Sequence, residues 1–165
     1  MYKALLFLAI PLMLILTGCP LGDDYPLGEK SDSKVDTSIL GTWSNDLDSA
    51  EVKKVLIEPL DAEKVKVTVL EKRDAYVEVV EVFNGWFTEV ENQKFIFLQD
   101  VNDESAQYYT YGYSIKKKKM KTFDMGFLIA YFESVNSTEE YRKEVSELLN
   151  TYDTFSTEVN WKKEK

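Results

Sequence analysis

The chain has 165 residues, 29 acidic against 20 basic, a formal net charge of −9 and no histidine. So acidic a surface repels phosphate backbones, which argues against nucleic-acid binding. The missing histidine removes the commonest general base and metal ligand, so a Ser-His-Asp triad is excluded, as is a Cys-His pair. Carboxylate-only chemistry remains open in principle, but no spacing in the chain points to it. Ten Tyr, nine Phe and three Trp argue against disorder.

Met1-Tyr2-Lys3 forms a short, positively charged start, and Ala4 to Leu16 is apolar except for Pro11. That run is shorter than the roughly 20 residues a membrane-spanning helix requires. Its length, charge and small-residue exit fit a secretory signal peptide over residues 1–18. The exit, Leu16-Thr17-Gly18-Cys19, holds the only cysteine. It resembles the lipobox of bacterial lipoproteins. The resemblance implies cleavage before Cys19, a diacylglyceryl group on its sulfur and a location in the cell envelope, at the outer membrane. A lone cysteine also admits the plainer reading of a buried apolar side chain. With no second cysteine the chain cannot form an internal disulfide.

Residues 19–37 read as the lipidated cysteine and a flexible tether, with Gly22, Pro26, Gly28, Ser31 and Ser33 and little apolar content. Asp23-Asp24 near the anchor resembles the acidic signal for surface display in some Gram-negative lipoproteins, or is a solvated charge pair. Residues 38–165 read as one domain, long enough to bury a core.

Ile39 to Ser44 opens that domain as a strand with Ile39, Gly41 and Trp43 on one face. Gly41 and Trp43 resemble the Gly-X-Trp signature of lipocalins and related calycin barrels. There the tryptophan closes one barrel end and a late basic residue packs over it. That role would fall to Lys162 or Lys163, where the lipocalins use arginine. Val55–Leu60 and Lys64–Leu70 follow as strands, the second alternating Val65, Val67 and Val69 against polar positions. Tyr76–Val90 is a long strand in which Asn84-Gly85 reads as a bulge rather than a turn. Glu91-Asn92-Gln93 turns into a strand over Phe95–Leu98.

Gln107–Ile115 places Tyr109, Tyr111 and Tyr113 on one face. A tyrosine row can line a ligand cavity, since each phenol joins apolar area to a polar tip, and the plainer readings are packed core or an outer aromatic stripe. Lys116 to Lys119 and Lys121 form a basic cluster at a hairpin, either a binding patch or a charged guard against edge pairing. Phe127–Phe132 reads as a further strand. Ser137 and Glu140 fit a capping box ahead of a helix with the stripe Tyr141, Val145, Leu148 and Leu149, and Glu139 stands four residues before Lys143. Phe155–Lys162 returns as the last strand.

The pattern predicts a mainly β fold: an antiparallel, lipocalin-like barrel of about 8–9 strands with one α-helix before the last. The expected role is non-enzymatic, in binding or envelope interaction. Expected partners are the membrane through the lipid, and a protein, a glycan or a small hydrophobic ligand. The alternative is a lipocalin-type carrier whose interior is lined by Trp43, Tyr109, Tyr111 and Tyr113. No catalytic residue, metal ligand or cofactor is expected.

Overall fold

The computed structural model of the chain describes residues 22–45, 52–73, 76–103, 107–126, 135–151 and 158–164. Its strands are β1 (Gly41–Ser44), β2 (Val52–Pro59), β3 (Lys64–Arg73), β4 (Tyr76–Val90), β5 (Gln93–Asp100), β6 (Tyr109–Lys116), β7 (Lys119–Asp124) and β8 (Val159–Lys163), with helix α1 (Thr138–Thr151) before β8. Each strand lies antiparallel to the next, and β8 pairs back to β1 through Trp43 with Lys163 and Ser44 with Lys162. The sheet therefore closes into an eight-stranded barrel, with no free edge among the described strands. The apolar run Phe127–Phe132, expected as a further strand, lies outside the described residues.

Period-two alternation decides which side chains enter the barrel. Trp43, Ile57, Val65, Val67, Phe83, Phe87, Ile96, Leu98, Tyr113 and Met120 form the interior cluster. Gly85 belongs to the same face, paired in regular register with Val65 and Leu98. The bulge expected there is absent: the register shift in this pair lies at Val69/Leu70 instead. Gly85 provides space rather than bend. A Cβ on it would stand 2.9 Å from Leu98 Cδ2 and 3.1 Å from both Ile96 Cδ1 and Val65 Cγ2. The β4–β5 turn uses Glu91 and Asn92 at φ 50° and 64°, the left-handed pair whose twist suits a tight hairpin.

A second core lies on the outer face. Leu27, Val90, Phe95, Phe123, Met125, Tyr141 and Val145 pack together there. The helix stripe supplies Tyr141, Val145 and Leu148, and Ser137 Oγ caps the helix by accepting from Glu140 N at 3.1 Å. Glu140 reaches back to Asn136 N at 2.9 Å, one residue earlier than a standard capping box. Lys143 pairs with Glu147 at 3.7 Å rather than with Glu139.

Residues 22–37, expected as a free tether, form a strap bound to the barrel. Asp23 and Tyr108 exchange two backbone hydrogen bonds of 2.8 and 2.7 Å. Leu27 is fully buried under α1, a burial that stabilises by about 1.5–3 kcal/mol. Lys30 Nζ donates to Gln99 Oε1 at 2.9 Å and lies 4.3 Å from the Trp86 ring and 5.0 Å from the Tyr108 ring. Ser33 Oγ donates to Glu63 O at 2.5 Å and accepts from Phe87 N at 2.9 Å. The glycine at 22 reflects close approach, not flexibility: a Cβ there would stand 2.5 Å from Gln107 Cβ. Composition alone reads such a segment as linker because it makes no periodic apolar pattern.

Candidate functional site

The barrel has two unlike ends. One carries the tight turns at Glu91-Asn92 and Lys117-Lys118 and the start of β1. The other carries the longer connections, including residues 101–108 and the approach to α1.

At the short-turn end the strap folds in and packs Ile39 against Trp43. Trp43 is fully buried, and its Nε1 donates to Ile39 O at 2.7 Å. Lys163, one of the two candidates for the basic role, lies over it with Nζ 5.1 Å from the ring centre. Lys162 instead pairs with Ser44 and Lys119. Beside them Asp36 gathers Lys94 Nζ at 2.7 Å, Tyr113 OH at 3.0 Å, and Ser38 N and Oγ at 3.0 and 2.6 Å. Burial alone would raise the Asp36 carboxyl. The hydrogen bonds from Lys94, Ser38 and Tyr113 outweigh burial and hold it at about 2, below its ordinary 3.8. The Tyr113 phenol is pushed up by burial and by the charge of Asp36.

Along β6 the tyrosine row points into the barrel. Tyr113 is core, while Tyr109 and Tyr111 are half-buried against the interior cluster. Phe83 meets Tyr109 edge to face at 6.0 Å, and Phe87 meets Tyr113 likewise at 6.3 Å. Tyr111 pairs in register with Asp124, and Val69 with Glu81. Burial, then Asp124, Glu81 and Tyr109, push the Tyr111 phenol well above its ordinary range. It therefore stays protonated near neutral pH. Burial also raises Asp124, although Gly126 N donates to Oδ1 at 2.7 Å. Val55, Val69, Phe83, Tyr109 and Tyr111 thus bring apolar area and phenols to the long-loop half of the interior.

The sequence-level candidates divide accordingly. Trp43 and Tyr113 are core residues at the short-turn end, and Tyr109 and Tyr111 form a half-buried lining. Leu16, Thr17, Gly18 and Cys19 lie outside the described residues. Asp36, Lys94 and Arg142 carried no local signal. Arg142 Nη1 donates to Leu27 O at 3.1 Å and Thr88 Oγ1 at 2.8 Å, and Nη2 to Glu89 O at 2.9 Å, so it clamps helix, strap and β4.

Among the described residues no group of three His, Cys, Asp or Glu is placed to hold a metal ion, and no helix is long and apolar enough to cross a membrane. No family model, no curated protein and no solved structure matches this chain.

Proposed function

We propose that this chain is a lipid-anchored lipoprotein of the bacterial cell envelope, held at the outer membrane through Cys19. Its lipocalin-like barrel acts without catalysis, binding a protein or glycan partner. The observation that carries the anchor is the run Leu16-Thr17-Gly18-Cys19 behind a charged, apolar leader. Two or three acyl chains suffice for stable attachment at about 0.8 kcal/mol per buried CH₂, where one chain is marginal. The absence of histidine from the sequence removes the commonest general base and favours a binding role over acid–base work.

The test is metabolic labelling with radioactive palmitate, comparing the wild type with Cys19→Ser. Label and membrane retention in the wild type, both lost in the variant, support the reading. An unlabelled wild type with a variant that stays on the membrane refutes it.

A second reading, carriage of a small hydrophobic ligand, draws on the half-buried Tyr109 and Tyr111 facing the barrel interior. Native mass spectrometry of the domain from Gly22 onward separates the two. A co-purifying lipid-sized mass favours carriage, and bare protein favours the surface-binding role.

A further inference from the structure

We infer that the strap fixes the orientation of the barrel on the bilayer, with the long-loop end against the membrane surface and the lysine hairpin facing away. The inference rests on the proposed lipidation of Cys19. Strand β6 defines the geometry. Beside its first residue, Tyr108 is bridged to Asp23, and at its far end Lys116 enters the turn to Lys119. Its eight residues extend about 26 Å at ~3.3 Å each, or about 20 Å along the barrel axis at the usual tilt.

Gly22, against Gln107, is the first described residue of the strap. Cys19 stands three positions before it. Three residues span at most about 10 Å, half the height of the barrel. The acyl chains therefore leave the protein beside the long-loop end and cannot reach past the lysine end without undocking the strap. Tyr25 and Val101, 37% and 39% exposed, belong to this end: Tyr25 follows the Asp23 bridge by two residues, and Val101 follows β5. Both suit the headgroup layer, where aromatic and apolar side chains find partial burial.

Charge alone would favour the opposite orientation. Asp23, Asp24, Glu81 and Asp103 stand at the long-loop end, while Lys116, Lys117, Lys118, Lys119 and Lys162 crowd the other. On an anionic bilayer a freely hung barrel would turn its lysines to the lipid. A docked strap forbids that turn.

The experiment uses the lipidated full chain in vesicles containing phosphatidylglycerol and a headgroup-quencher lipid. A fluorophore is placed on Asn102→Cys or on Lys118→Cys, the Cys19 thiol being blocked by its lipid. We expect quenching severalfold stronger at position 102 than at 118. Inserting about a dozen Gly/Ser residues between Cys19 and Gly22 lengthens the leash to about 20 Å root-mean-square. The order is then expected to even out or reverse. Quenching equal at the two sites, or stronger at 118, in the natural chain overturns the orientation. An order unchanged by the insertion overturns the strap as its cause. If the mass of the N-terminal peptide shows no lipid on Cys19, the anchor itself is wrong and this inference falls with it.

Discussion

Lys163 Nζ lies 5.1 Å from the centre of the Trp43 ring and reaches Ser38 O at 3.4 Å. The two residues are register partners on β8 and β1, so the contact marks the seam where the barrel closes. Gly41 makes it possible. Its φ of +118° belongs to glycine, and a Cβ there would stand 3.0 Å from Lys163 Cε. Gly41→Ala is expected to cost about 1–3 kcal/mol from backbone strain. Lys163→Ala removes a partly exposed cation–π contact worth about 0.5–1 kcal/mol. Trp43→Ala leaves a cavity and an unpaired carbonyl, at about 3–5 kcal/mol. Urea titrations should place tryptophan worst, glycine between and lysine mildest.

The Asp36 knot should be visible in acid. Its carboxyl titrates lower in the folded chain than in the unfolded one, about 2 against 3.8. Its contribution is therefore complete above the unfolded value and fades as pH falls towards the folded one. Asp36→Asn should flatten that part of the stability profile, between the folded value of about 2 and the unfolded 3.8. Asp36→Ala should cost about 2 kcal/mol at neutral pH, because it unpairs Lys94, Ser38 and Tyr113 together. Thermal melts at stepped pH check both.

Asp23 has the opposite sign. Burial, opposed by the Tyr141 hydroxyl and aided by Asp24, raises it from 3.8 to about 6. Thr110 faces the Tyr141 phenol from β6, and Asp124 acts on it from the end of β7. Docking of the strap is then strongest below about pH 4 and weakens as pH rises through about 6. A carboxyl raised that far weakens docking by roughly 3 kcal/mol at most once it is ionised. Asp23→Asn should abolish the dependence and slow amide exchange at Asp23 and Tyr108 at about pH 7. Protection factors at these amides, each rate taken against the unprotected rate at the same pH, that stay constant from 3.8 to about 6 in the natural chain would contradict this.

Truncation tests the strap directly. A chain beginning at Ser38 exposes Phe95 and Phe123, and uncovers Trp86 and Phe97, which stack at 6.0 Å beneath Lys30. It should bind a hydrophobic dye and aggregate, whereas a chain beginning at Gly22 should stay monomeric and dye-free. Arg142→Lys, which keeps the charge but loses the planar fork, should loosen the strap by about 1–3 kcal/mol. Limited proteolysis near Tyr25 would report it.

Much of the fold is written locally. The alternation of Val65, Val67 and Val69, the tyrosine row of β6, the polar turn at Glu91-Asn92 and the stripe from Tyr141 to Leu149 each state a face or a reversal within a dozen residues. Backbone geometry converts such patterns into strands and a helix without help from distant parts of the chain. An antiparallel barrel follows, because connections this short join neighbours and closure removes the edges.

The tertiary structure alone decided what covers the outside of the barrel. Leu27, Lys30 and Ser33 sit among glycines, prolines and charges, and their burial depends on partners more than fifty positions away: Arg142, Gln99 and Phe87. A hydrogen bond across such a distance leaves no periodic trace, since its two ends are single polar residues with no local pattern to satisfy. The same holds for Asp36 with Lys94 and Tyr113, and for Lys163 rather than Lys162 over Trp43. The choice between those two lysines is made by the register of β8 on β1, and register exists only once the barrel has closed.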